Sequence, residues 1–165
     1  MPIKIITPLS ASKWKMYRNL RLKALKTDPL AFASTFREDS LKSDNIWQEN
    51  MQKSILAAAE IDNKLVGMML AYIYPKSRLR HWAELHGVYV MPEFRGQKIA
   101  SQMLEKLIAV LKKKKIMKLK LAVVEENQAA VKLYKKFGFR IVGKLEKENY
   151  FDGKYYDEII MEKFI

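Results

Sequence analysis

Apolar positions along this chain recur at two spacings, and the change from one to the other marks out its elements. Ile3, Ile5 and Ile6 predict a short first strand, ended by Thr7-Pro8. Trp14, Tyr17, Leu20, Ala24 and Leu25 then recur at three and four residues. That spacing predicts a helix, capped by Ser10 or Ser12 and closed by Asp28-Pro29. From Phe32 to Gln52 the chain is polar and mixed, with a short helix expected from Ser43 through Trp47 and Met51. Two largely apolar runs, Ile55 to Ile61 and Leu65 to Tyr74, flank the turn residues Asp62-Asn63-Lys64 and predict a hairpin. A basic loop, Pro75 to Arg80, leads to a strand from Glu84 to Val90 that stops at Met91-Pro92.

The second half alternates more regularly. Ile99, Met103, Leu104, Leu107, Ile108 and Leu111 share one helical face. Lys112 to Lys115 follow, where cations complement the partial negative charge of the last carbonyls. Leu119, Leu121 and Val123 alternate with Lys118, Lys120 and Ala122, as in a half-exposed strand. Asn127 is placed to cap a helix bearing Ala130, Leu133, Tyr134 and Phe137, which Gly138 stops. Two last strands flank the hairpin turn Asp152-Gly153. Strand, helix, strand, helix in this half suggests parallel pairing, so the class is α+β with a mixed sheet.

Composition narrows the function. A chain of 165 residues, 49% hydrophobic and 30% charged, is that of a globular protein, and residues 1–165 are expected to form one domain. Its longest apolar run, Leu65 to Ile73, falls short of the ~20 residues a membrane helix needs. The opening Met1-Pro2-Ile3-Lys4 lacks the layout of a secretory leader, so a cytoplasmic setting is expected. There is no cysteine, which removes disulfides, thiolate metal sites and a cysteine nucleophile together. Only His81 and His86 supply imidazole, so no metal site is expected. The net charge of +13 fits an anionic partner, but the lysines are scattered and read as a solvated surface.

Candidate chemistry concentrates where a strand stops and a helix starts, from Val88-Tyr89-Val90 through Arg95-Gly96-Gln97-Lys98-Ile99-Ala100-Ser101. The first N–H groups of a helix lack intrahelical partners and carry partial positive charge, so this junction suits a phosphate. Gly96 allows close approach of the backbone, and Arg95 and Lys98 add charge. On these grounds alone an ordinary strand-to-helix turn is the favoured reading.

The run from Arg95 to Ala100 resembles the pyrophosphate loop of the GNAT acetyltransferases. Val88-Tyr89-Val90-Met91-Pro92 resembles their fourth strand. A second block, holding Asn127, Ala130, Leu133, Tyr134, Lys136, Gly138 and Phe139, resembles their second CoA motif. Order and spacing match over nearly the whole chain, including Arg21-Leu22 and Asp28-Pro29 near the start. The resemblance implies a central, mostly antiparallel sheet of six to seven strands with a splayed parallel pair, flanked by about four helices. It implies acetyl-CoA as cosubstrate, a primary amine as acceptor and direct attack in a ternary complex. Backbone groups of Val88, Tyr89 and Val90 would meet the pantetheine arm. An N–H near Val90 would polarise the thioester carbonyl, and Tyr134 would be the general acid. Gly96, Gln97, Lys98, Ile99, Ala100 and Ser101 would hold the diphosphate, with Arg95, Asn127, Ala130 and Lys136 as further cofactor contacts. Lys98 stands where the loop carries a second glycine, and is expected to lie already within the first helical turn.

Glu84 matches the base of the histone-acetylating members, with a salt-bridged surface glutamate as its plain alternative; His86 is a rival relay. Acceptor contacts are expected from Trp14, Arg18, Arg21, Phe32 and Phe36, and from Glu146, Glu148, Tyr150 and Tyr156. Two other functions stay open: a non-catalytic CoA-binding regulatory module, and a basic nucleic-acid-binding domain. The latter is disfavoured because clustered cations are not interleaved with aromatics. A homodimer is left open, and no membrane partner is expected.

Overall fold

A computed structural model describes residues 2–165. Its elements run β1 (Lys4–Ile6), α1 (Trp14–Thr27), α2 (Phe36–Ser40), α3 (Asp44–Lys53), β2 (Ser54–Ile61), β3 (Lys64–Ile73) and β4 (Trp82–Val90). They continue with α4 (Ile99–Lys113), β5 (Lys118–Val124), α5 (Gln128–Lys136), β6 (Arg140–Phe151) and β7 (Lys154–Phe164). One seven-stranded sheet has the order β1-β2-β3-β4-β5-β7-β6, and only β4 and β5 are parallel. The mixed class and the parallel pair are those expected. No helix among the described residues is long and apolar enough to cross a membrane.

Helices cover both faces of the sheet. The Ile99, Met103, Leu104, Leu107 and Leu111 stripe of α4 is buried with Ala57, Met69, Leu119 and Met161, and α5 adds Val131 and Tyr134. On the other face Trp14, Tyr17, Leu20 and Ala24 of α1 pack with Trp47, Met51, Met68 and Leu70. A sheet buried on both faces reads as continuous apolar strands, which is why β2 and β3 lack alternation.

Two local expectations need correction. Ser10 caps a single 3-10 turn ahead of α1, accepting from Ser12 N, whereas α1 itself starts at Trp14, its N-cap Lys13 making no side-chain cap. The polar stretch contains α2, which begins with a capping box: Thr35 Oγ1 accepts from Glu38 N at 3.2 Å and Glu38 Oε2 from Thr35 N at 2.6 Å. The Thr-x-x-Glu spacing carried that signal, but five residues are too few for a visible apolar period.

Strand β4 is bent where it matters. Leu70 pairs with His86 but Met68 with Tyr89, so Met69 faces two residues, Gly87 and Val88. This is a β-bulge, and Gly87 takes φ +62 in it. The extra residue exchanges the faces. Ala83 and Leu85 join the α4 core before the bulge, Val88 and Val90 after it. Strand β5 pairs with β4 only at Trp82↔Lys118, Ala83↔Leu119 and Glu84↔Lys120, then continues beside β7 to Val124↔Glu158. Beyond Glu84 the two parallel strands therefore part.

Candidate active site

The parting of β4 from β5 opens a cleft of about 840 Å³. One wall is Leu85 to Val90, the opposite wall Ala122 to Val124 with Asn127, Ala130 and Tyr134, and one end is the start of α4. The edge that β4 offers to this space follows from its ladder. Met91 N donates to Val66 O on the β3 side at 2.9 Å. Neighbouring peptide groups in a strand point to opposite edges, so Val90 presents its N–H and C=O toward the cleft. Tyr89 turns its backbone to β3 and its hydroxyl to Thr27 Oγ1 at 2.8 Å.

At the end of the cleft, none of the N–H groups of residues 96 to 101 has an acceptor among the described residues; the first α4 bond is Gln102 N to Lys98 O at 3.0 Å. Six unanswered donors at the start of a 15-residue helix make a site for a bound anion. Lys98 is not in the first turn as expected. It is the N-cap, at φ 59 and ψ 19, a left-handed conformation that costs a residue with a Cβ about 1–2 kcal/mol. The chain must reverse there to aim the amides at the cleft, and that tertiary demand overrides the side chain's preference. Gly96 has φ +80, and a Cβ on it would meet nothing within 4 Å. Its glycine is thus required by conformation and leaves open space beside the donors. Gly96→Val is expected to raise the Kd for coenzyme A roughly tenfold or more, by strain and by occupying that space. Calorimetry with a melting curve checks this; an unchanged Kd in folded protein counts against the loop.

Arg95 borders the cleft but is otherwise engaged: Nε donates to Val90 O at 2.9 Å, and Nη2 pairs with Asp28 Oδ2. It ties the loop to the end of α1 and fixes the Val90 peptide. Asn127 caps α5 by accepting from Ala130 N at 3.2 Å while facing the cleft. Ile99, Ala100, Ser101 and Ala130 line the cleft too, but Gln97 and Lys136 border neither cavity described here.

Tyr134 is 4% exposed, against Phe139 at 5.6 Å between ring centres, and its residue lines the cleft. Its hydroxyl has no hydrogen-bond partner among the described residues. Burial disfavours the phenolate and pushes the hydroxyl pKa well above 10.

A second cavity, of about 430 Å³, lies between α1, α3 and strands β3 and β4. Glu84 borders it, accepting from Tyr74 Oη at 2.8 Å. Arg21 borders it as well, while Phe32 lines the larger cleft. Trp14, Arg18, Phe36, Glu146, Glu148, Tyr150 and Tyr156 border neither space. His86 borders both, and among the described residues it is the one that does so. Surrounding protein disfavours its charged form and the Arg21 charge adds to this, against Glu84, so its pKa falls below 6.5. At pH 7 it is a neutral imidazole, able to take a proton. Gly87, Asp39 and Lys42 complete this region and were not singled out from the sequence; Gly87 alone left a trace, a glycine inside a strand pattern. Among the described residues no group of three His, Asp or Glu could hold a metal ion.

Residues 18–139 match the sequence profile of the Acetyltransferase (GNAT) family. The L-amino acid N-acetyltransferase AaaT of Escherichia coli is 28% identical over 127 residues, 73% of this chain and 76% of the relative. Thialysine N-epsilon-acetyltransferase of Mus musculus is 31% identical over 107 residues, 61% of this chain and 63% of the relative. An acetyltransferase of the GNAT family from Streptococcus pneumoniae superposes with a TM-score of 0.88 at 24% identity, over 99% of this chain and 100% of the other, which establishes the fold.

Proposed function

This chain belongs to the acetyltransferase (GNAT) family and is an acetyl-CoA-dependent N-acetyltransferase; from that premise we propose that it acetylates a primary amine by direct attack in a ternary complex, with His86 as proton acceptor and Tyr134 as proton donor. The observation that carries this reading is the position of His86, where the larger cleft meets the smaller cavity. An acceptor in one space and an acyl donor in the other have their reacting atoms beside that imidazole.

When bound, acetyl-CoA supplies an acetyl group activated as a thioester. The N–H groups of residues 96 to 101 hold its diphosphate, aided by the charge of Lys98. Val88 and Val90 offer backbone groups to the pantetheine amides, and the Val90 N–H is aimed to draw electron density onto the carbonyl oxygen. His86 takes the proton that the amine nitrogen must lose as it bonds to carbon, and passes it to water in the cavity. Tyr134 gives its Oη proton to the departing sulfur and recovers one from solvent. Tyr134 has a high pKa, but burial penalises a thiolate in the same cleft in the same direction. In solution the two acids differ by about 1.5 pKa units, or 2 kcal/mol, if the thiol resembles cysteine. No cysteine is present, so an acetyl-cysteine intermediate is impossible, which favours direct attack in a ternary complex. Glu84, bonded to Tyr74, favours the protonated imidazole by its charge but is outweighed by burial and by Arg21.

His86→Gln is expected to lower kcat/KM by about 10²-fold or more and to abolish the acidic limb of its pH profile, which in the unaltered enzyme rises below pH 6.5. Retention of that limb in the variant moves the role to Glu84.

A further inference from the structure

The cavity beside His86 holds more charge than proton transfer needs. Asp39, its side chain 2% exposed, meets two cations: Arg21 Nε at 3.1 Å and Lys42 Nζ at 2.5 Å. Lys53 and Glu84 line the cavity too, so three cations face two carboxylates and the wall keeps net positive charge. The guanidinium of Arg21 is also held by Ser34 Oγ, at 2.9 Å from Nη2, and by the ring of Phe32, 4.4 Å away. Its third nitrogen, Nη1, has no partner among the described residues. That atom lies 3.4 Å from where a side chain on Gly87 would begin, beside the residue that follows His86. A fixed cation with unused donors thus stands next to the proton acceptor.

Resting on the acetyltransferase reading above, we infer that this cavity binds a free α-amino acid, its carboxylate on Arg21 Nη1 and its amine facing His86. A guanidinium matches a carboxylate in charge and in planar donor geometry. The two recognised groups must be close together, because Arg21 and His86 border the same cavity and the Arg21 charge acts on the imidazole, and an α-amino acid joins them through one carbon. A peptide N-terminus would present a neutral carbonyl to Arg21. Of the remaining lining, Tyr17, Leu70 and Tyr72 offer apolar surface to a side chain, beside the polar Asn50, Lys53, Ser54 and Glu84, and about 430 Å³ suits one small molecule.

The test is thiol release by the purified protein with acetyl-CoA and each of the twenty common amino acids, measured beside its primary amide and the dipeptide that begins with it. At least one free acid should exceed its amide and dipeptide by roughly 100-fold in kcat/KM, because either analogue leaves a buried charge unanswered. An amide or dipeptide used as well as its acid overturns the inference. Arg21→Met should raise the KM for the preferred acid more than about tenfold and flatten the acid-to-amide ratio, with the KM for acetyl-CoA unmoved. Should that variant not fold, Lys42→Met, at a half-exposed position, is expected to reduce the same ratio; an unchanged ratio counts against the inference. If no amine reacts while coenzyme A still binds by calorimetry, the amino acid assignment fails alone. If coenzyme A does not bind either, the catalytic reading fails with it.

Discussion

Tyr134→Phe is expected to lower kcat by about 10²- to 10⁴-fold, the range in which a positioned general acid contributes. The substitution is chemically narrow. The ring keeps its place against Phe139, and only the Oη atom is lost. Because that hydroxyl has no partner among the described residues, no internal hydrogen bond is broken, and the melting temperature should stay level or rise slightly. Affinity for coenzyme A should change little, since the donors of residues 96 to 101 are untouched. Steady-state thiol release, calorimetry and a melting curve separate these quantities. A kcat equal to that of the unaltered protein would give the proton to water and leave Tyr134 as packing.

Asp39→Asn should cost about 3–5 kcal/mol of stability, the loss typical when one partner of a buried ion pair is removed. Asparagine keeps the shape but leaves Arg21, only 14% exposed, beside Lys42 without a counter-charge. Acid should act in the same direction on the unaltered protein. Burial by itself would raise the Asp39 pKa, but hydrogen bonds from Lys42 and Arg21, with their charges, outweigh it and hold the group below 3.8. A carboxyl whose folded pKa lies below its unfolded one contributes fully above the unfolded value. That contribution is lost as pH falls through the folded value. Urea unfolding from pH 7 to pH 3 should therefore show a steeper acid loss for the unaltered protein than for Asp39→Asn. Parallel curves would mean that Asp39 does not carry the acid sensitivity. In the folded variant the Arg21 fork loses an anchor, so the acid-to-amide preference should weaken as well.

Arg95 and Arg21 exchanged parts between sequence and structure. Arg95 stands in the run that resembles a pyrophosphate loop, and its position there marks it for an anion. The structure gives it Asp28 and the Val90 carbonyl instead, partners 67 and 5 residues away. Arg21 sits on an amphipathic helix among many cations, with nothing local to distinguish it. Asp39, 18 residues on in a helix of five, makes it a fixed cation in the cavity that His86 borders. The candidate base was hidden in the same way. Glu84 and His86 share a strand face, and spacing along a strand cannot tell which of them borders both spaces. Of the two, the fold brings His86 to both, one residue before the bulge at Gly87.

What the chain determined by itself is what short-range spacing encodes: the helical stripe of α4, the strand that ends at Met91-Pro92, the glycine turn before α4, the Asn127 cap and Tyr134 seven residues beyond it. Each depends on neighbours within two turns of helix, and backbone geometry ties such neighbours together before any tertiary contact forms. Only the folded arrangement decided the left-handed Lys98, the parting of the parallel strands, the capture of Arg95 and the charged cavity around Arg21. These depend on which distant segments pack together, and on the strain and desolvation that packing imposes, quantities with no period along the chain.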